Sequence, residues 1–304
     1  MSLKHRHGPV AIVGTGALGT ALAHAFVASG VAVRAIASRD PDRAAAAASA
    51  FPGAIGVSLD RVAKEAPVVL LAVADSAIES VASALAGARG VIVAHTSGSR
   101  DTKPLAAVRA HGARVGAFHP LAAVVKPAGP VDAGHWTTLF RGAAFAIEGS
   151  DGDVTAQLTQ LATALGGKPF TATAAAKARY HLGASMLAAF SAGLAQVAWE
   201  GMRAAGAPAD VASAGVGHLL ETVARNVAAA PAPAAALTGP VARGDAGGVT
   251  RQAIAAEVLP REAQVLYRAH AEHNIQLAQH AGRITKETAD ALVAALHAHG
   301  NSSS

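Results

Sequence analysis

The sequence predicts an α/β protein in two parts: a doubly wound parallel sheet followed by an all-helical domain. Three observations predict it. An apolar run at residues 10–13 leads straight into Gly14-x-Gly16-x-x-Gly19 and an alanine-rich stretch. Short β-prone runs then alternate with helical stretches through the first half, the pattern of a parallel sheet with crossover helices. Beyond residue 174 the strand signals stop.

In chain order, strands are expected near residues 10–13, 32–37, 68–73, 91–95 and 114–118, with a later one at 143–147. The first helix runs over 17–29. The next, 42–50, is opened by Asp40-Pro41, with proline in the first turn where its missing N–H costs nothing. Ser76-x-x-Glu79 has the spacing of a capping box and sets the start of the helix after the third of these strands. A helix over 153–165 precedes Gly166-Gly167 and a short apolar link through Thr173. From 174 to 300 only helices are expected, with breaks at 206–208, 231–233, 239–240, 247–248 and 282. The domain boundary falls near residue 170, giving domains 1–170 and 171–304.

The chain has 304 residues, 52% hydrophobic and 15% charged, the balance of a globular protein long enough for two domains. A net charge of +5 suits anionic ligands. Nucleic acid is a poor fit, because the basic residues are dispersed and aromatics are 4%. With no cysteine, disulfides, thiolate metal sites and cysteine nucleophiles are excluded, which is compatible with a reducing cytoplasm. The opening MSLKHRHG lacks the apolar core of a signal peptide, so a cytoplasmic location is expected. The uncharged stretch 182–198 is rich in Ala, Gly and Ser and closely flanked by Arg179 and Glu200, so a buried core or interface helix is expected rather than a membrane span. Residues 301–304 read as a frayed tail.

The glycine loop carries the first chemistry. Gly14 permits the tight turn, Gly16 lets backbone approach a phosphate, and Gly19 lets the helix pack close. With Thr15, Ala17 and Leu18 they form the loop on which a pyrophosphate meets free N–H groups and the positive end of a helix. This is the Rossmann pattern. The second strand ends in Ser38-Arg39, where NAD-binding domains usually place an acid for the ribose 2′-hydroxyl; a hydroxyl and a guanidinium suit a 2′-phosphate instead, so the expected cofactor is NADP(H). Asp40 reads as the helix cap, with an acid for NAD as the alternative. Ala74 and Asp75, at the end of the third predicted strand, complete the cofactor set.

The reaction is expected in the cleft between the two domains. Lys177, His181 and Ser185 recur every four residues and share one side of a helix, as candidate proton donor or carboxylate binder; the alternative is a solvated polar stripe. Arg243, in Gly239-Pro240-Val241-Ala242-Arg243-Gly244-Asp245, suits an acidic substrate. Its alternative is an ion pair with Asp245, which would cap the next helix. Asp75, the run His95-Thr96-Ser97-Gly98-Ser99 and His119-Pro120 sit at strand ends, so Ser97 and His119 are candidate substrate contacts. His270, His273 and His280 lack companion carboxylates, and no metal is expected.

Taken together, the glycine loop, Ser38-Arg39, Thr96-Ser97-Gly98-Ser99, Phe118-His119-Pro120-Leu121, Phe145-Ala146-Ile147-Glu148-Gly149, Tyr180-His181 and Leu237-Thr238-Gly239-Pro240 with Arg243-Gly244-Asp245 resemble a known group. They look like the Rossmann-like oxidoreductases with a helical C-terminal domain of formerly unknown function, distant relatives of ketopantoate reductase and pyrroline-5-carboxylate reductase in the 6-phosphogluconate dehydrogenase-like group. The resemblance implies NADPH-dependent reduction of a small 2-oxo acid or related imine, ketopantoate first, by a dimer built through the C-terminal helices. Lys177, His181 and Ser185 echo the helical lysine of ketopantoate reductases. Two departures stand out: Leu187-Ala188-Ala189-Phe190 occupies the place of an expected asparagine, and the late catalytic glutamate has only Glu257 as a candidate. A non-catalytic NADP-binding regulator or scaffold is the alternative these departures leave open.

Overall fold

The computed structural model describes residues 8–85, 87–127, 129 and 133–298; the expectations for residues 1–7 and 301–304 lie outside the described residues. Eight strands form one sheet in the order β3-β2-β1-β4-β5-β6-β7-β8. Their spans are β1 Val10–Val13, β2 Val33–Ala37, β3 Ile55–Val57, β4 Val68–Leu71, β5 Ile92–His95, β6 Arg114–Pro120, β7 Ala144–Gly149 and β8 Lys168–Thr171. Each expected strand is present, and the sheet is parallel except where β7 runs antiparallel to β6, pairing Phe118 with Ile147. Two strands escaped the sequence. β3 is three residues long with a central glycine, and β8, expected as a link, contains Pro169. Both lie on sheet edges, where proline and short strands are tolerated and periodicity is weakest.

Alternate residues of the central strands point to opposite faces, as a pleated strand requires. Val10 and Ile12 join Leu22, Phe26, Phe118, Phe140 and Phe145 in one core, while Ala11 and Val13 join Val69, Leu71, Ile78 and Leu105 in the other. Both faces are therefore covered, and the strands read as continuous apolar runs.

The crossover helices are α1 Ala17–Ala28, α2 Pro41–Ala48, α3 Leu59–Val62, α4 Ile78–Ser83, α5 Ala106–Ala110, α6 Ala133–Phe140 and α7 Gly152–Ala164. Asp40 does cap α2, its carboxylate accepting from the N–H groups of Asp42 and Arg43 at 3.0 and 3.2 Å. The capping box at Ser76 does not form. A 3₁₀ turn over Asp75–Ala77 starts the element instead, and Glu79 pairs with Arg100 at 2.6 Å.

Beyond β8 the described residues hold helices only: α8 Ala174–Ala204, α9 Ala209–Ala229, α10 Gly239–Arg243, α11 Ala246–Ala256, α12 Arg261–His280 and α13 Lys286–His297. Gly247 and Gly248 lie inside the first turn of α11 rather than breaking the chain. The Gly248 N–H donates to Asp245 Oδ1 at 2.8 Å, and a Cβ at Gly248 would run into that carboxylate.

Compactness divides the chain within α8, into residues 1–188 and 189–304. The second unit has its own core of Val241, Val249, Ile275, Leu292 and Leu296. Of the two expectations for residues 182–198, a core helix is overturned, since Leu182, Leu187 and Phe190 are 60%, 73% and 54% exposed, while an interface helix is compatible with that exposure. By length and composition α8 is the one described helix that could cross a membrane.

Candidate active site

The carboxyl edge of the sheet gathers the candidate residues. At the end of β1, Gly14 has φ +117°, and a side chain there would strike the carbonyl oxygen of Ala72, just past the adjacent strand β4. Gly19 packs α1 so closely on the loop that a Cβ would meet the Gly14 carbonyl. At Gly16, by contrast, nothing lies within 4 Å of a Cβ position, and α1 starts without a side-chain cap. Open space over uncapped N–H groups is what a pyrophosphate needs.

A cavity of about 260 Å³ continues from Gly14, Thr15 and Gly16 past Ala74 to Ser38, Arg39 and Arg43. Arg43, in the first turn of α2, adds a second guanidinium to this lining. The acid that could have served NAD, Asp40, is committed to the cap of α2 and to Arg43 at 3.3 Å. The lining therefore fits an NADP 2′-phosphate. Thr15 and Ala17 also border a second cavity of about 300 Å³ with Thr20, His24 and Trp136, while Leu18 packs against the core.

The turn after β5 is held from several sides. Ser97 and Ser99 hydroxyls donate to Asp75 Oδ2 at 2.7 and 3.0 Å, so Asp75 supports this turn rather than lining the cofactor cavity. His95 Nδ1 accepts from the Ser97 N–H at 3.2 Å, and its Nε2 lies 2.8 Å from the Asp101 carbonyl. Those two bonds together place the ring proton on Nε2, and burial lowers the pKa of this imidazole. Lys177 Nζ donates to the Arg100 carbonyl at 2.9 Å and pairs with Glu148 on β7 at 2.7 Å. Its side chain is 0% exposed.

Gly98 is the pivot of the site. A Cβ there would lie 2.5 Å from His181 Nδ1 and 2.7 Å from His119 Nε2, so both imidazoles converge on this backbone. His119 Nδ1 and the Tyr180 hydroxyl are 3.0 Å apart. Burial, reinforced by the His181 and Lys177 charges, pushes His119 down to about 4, and burial pushes the Tyr180 phenol up to about 12. At neutral pH His119 is an uncharged imidazole beside an uncharged phenol. His181 Nδ1 is buried with no hydrogen-bond partner among the described residues.

His119, Tyr180, His181 and Ser185 open onto a cavity of about 550 Å³, walled otherwise by Pro120, Leu121, Leu187 and small residues. Of the helical triplet, His181 and Ser185 reach this cavity while Lys177 is enclosed behind it. Arg243 and Asp245 belong to the second compact unit. There Asp245 caps α11 as expected, but its ion pair is with Arg251, at 3.8 Å, rather than with Arg243. Glu257 ends α11. His270 Nδ1 lies 3.1 Å from the Leu266 carbonyl, and no metal-holding group of His, Asp or Glu occurs among the described residues. Glu148, Gly98 and Tyr180 had no chemical role in the sequence reading; the only signal was that each falls within or beside a motif already singled out.

Residues 9–98 match the family model described as NADP oxidoreductase, coenzyme F420-dependent, and residues 143–274 match a model described as a domain of unknown function. No curated protein matches the chain. Among solved structures, a protein from Thermotoga maritima is 23% identical with a TM-score of 0.68, covering 90% of this chain and 99% of that one. Pyrroline carboxylate reductase from Plasmodium falciparum, with NADP bound, is 10% identical with a TM-score of 0.59, covering 94% and 98%. A reductive aminase from Aspergillus terreus, in complex with NADPH and ethyl-5-oxohexanoate, is 17% identical with a TM-score of 0.54, covering 94% and 91%. At these identities the likeness is one of fold. Residues 9–98 thus resemble an NADP oxidoreductase domain, and residues 143–274, which run from β7 into α12, resemble a domain of unknown function.

Proposed function

We propose that the protein is an NADPH-dependent reductase of a small carbonyl or imine compound, acting where His119, Tyr180 and His181 meet the Gly98 turn. The carrying observation is that convergence: two imidazoles meet the backbone at the end of β5, on the same sheet edge as the glycine loop, where ligands of doubly wound sheets bind. The loop N–H groups hold the pyrophosphate, and Ser38, Arg39 and Arg43 hold the 2′-phosphate. NADPH, when bound, supplies the hydride.

The remaining chemistry belongs to the chain. Tyr180 fixes the orientation of His119, which stays neutral and donates a hydrogen bond to the substrate oxygen or nitrogen. His181, whose ring centroid lies 5.8 Å from that of His119, delivers the proton that completes the reduction. Ser185 offers a further hydrogen bond from the cavity wall. Lys177, enclosed and paired with Glu148, positions the turn that carries Gly98 by holding the Arg100 carbonyl.

In this reading residues 1–170 hold the cofactor and residues 171–304 supply substrate contacts and a dimer interface. The exposed apolar residues of α8 and α9, among them Leu182, Phe190, Leu219 and Val223, are taken in this reading as the seam of a homodimer of a cytoplasmic protein. A 2-oxo acid such as ketopantoate would in addition require a cation for its carboxylate.

The test is loss of NADPH absorbance with a panel of 2-oxo acids, ketones and cyclic imines. The protein should reduce at least one class, and His181→Ala should lower kcat about 100-fold with NADPH affinity retained. Tight NADPH binding without turnover of any class would instead make it an NADP-binding regulator.

A further inference from the structure

We infer that the substrate of this site is an uncharged, largely apolar carbonyl or imine, bound in the cavity of about 550 Å³ beside His119. The inference rests on the reductase reading and adds the chemical class. Ligand cavities typically span about 300–1,000 Å³ and are apolar apart from a few converging polar groups. Here the polar groups are His119, Tyr180, His181 and Ser185, and the rest of the wall is Pro, Leu, Ala and Gly. No Lys, Arg, Asp or Glu occurs among the described residues lining it.

Lys177, one helical turn before His181, is not available either. Lys177 has no exposed side-chain surface, and its ammonium is already engaged by Glu148 and the Arg100 carbonyl. His119, its pKa pushed down to about 4 by burial, carries no charge at neutral pH. A carboxylate placed here would lose its hydration without gaining a fixed cation, which is unfavourable. The side chains of His119, Tyr180, His181 and Ser185 instead give the cavity one polar end, which suits a single C=O or C=N group. The apolar wall then accepts the remainder of the molecule, and each buried CH₂ should add roughly fourfold in affinity.

Phenylacetone and phenylpyruvate provide the test, since they differ by a methyl group against a carboxylate next to the same carbonyl. Reduction of either consumes one NADPH and one proton and yields the alcohol and NADP⁺. The neutral ketone should have the higher kcat/KM, by about tenfold or more, and straight-chain methyl ketones should improve by roughly threefold to fourfold per added CH₂ until the cavity is full. Ala188→Arg, which adds a cation to the wall, should shift the preference toward phenylpyruvate. A tenfold preference of the unaltered protein for phenylpyruvate would overturn the inference.

Saturation-transfer NMR in the presence of NADP⁺ separates this outcome from failure of the reductase reading. If nothing is turned over, yet phenylacetone binds better than phenylpyruvate and Ala184→Trp abolishes that binding, the assignment of the cavity stands and the reductase reading falls. If neither compound binds, with the protein dimeric by light scattering, the cavity is covered by a second copy and the inference is wrong.

Discussion

Replacing Lys177 by methionine separates a structural lysine from a catalytic one without needing a substrate. The wild-type ammonium has no exposed side-chain surface and sits 2.7 Å from Glu148, whose own side chain is 19% exposed. Removing one partner of a buried ion pair costs about 3–5 kcal/mol because the other charge is stranded. Glu148 keeps some access to water, which places the loss near the lower end, about 3 kcal/mol, including the hydrogen bond to the Arg100 carbonyl. For a chain of 304 residues that corresponds to a fall in Tm of about 5 °C. Replacing both partners with apolar residues is often close to neutral, so the double variant Lys177→Met with Glu148→Leu should regain at least ~2 kcal/mol. Thermal and guanidinium unfolding followed by circular dichroism, on the wild type, both single variants and the double variant, gives the full cycle. A loss below ~1 kcal/mol for Lys177→Met, or a double variant no more stable than the single, would refute the structural pairing and return Lys177 to the list of proton donors.

Gly98→Ala places a Cβ well inside ordinary contact distance of both His119 and His181; a displacement approaching 1 Å at reacting groups costs about 100-fold, so kcat/KM should fall by that order while NADPH affinity, measured by fluorescence titration, changes little. Full activity in a folded Gly98→Ala protein would remove the imidazole pair from the mechanism. Arg39→Ala should weaken NADPH by about tenfold and NADH hardly at all, with Arg43→Ala acting in the same direction; equal losses for the two cofactors would show that these side chains do not read the 2′-phosphate. His119 gives a pH dependence. Its folded pKa is about 4 against an ordinary 6.5, so between these values the unfolded chain holds the extra proton and stability falls as the pH falls. The term amounts to at most about 3 kcal/mol, and His95, also lowered by burial, adds to it. His119→Gln should flatten the stability profile between about pH 6.5 and pH 4; an unchanged slope would show that His119 titrates normally.

The fold was legible because its signals are local. Strands such as Val68–Leu71 are short apolar runs bounded by polar turns, and the glycine loop fixes where the first of them ends. What the sequence hid were features set by neighbours far along the chain. β8 contains a proline and is a strand only because β7 is beside it, joined through Ala144 with Lys168 and Ile147 with Thr171. Ser76-x-x-Glu79 had the right spacing for a capping box, but Arg100, 21 residues away, takes the carboxylate.

The same logic explains the site. Helical spacing placed Lys177, His181 and Ser185 on one side of α8, and that much is a property of the helix. Spacing could not show that the lysine at one end of the row meets Glu148 from β7, because that contact depends on how two segments 29 residues apart cross at the sheet edge. Nor could it show that Gly98 lies under two imidazoles from β6 and α8. A glycine in a Thr-Ser-Gly-Ser turn reads as turn chemistry; here its missing side chain also leaves the space in which His119 and His181 approach one another. The residue with no side chain therefore constrains the proposed chemistry as tightly as those with imidazoles, and it does so through sterics that no residue-type pattern records.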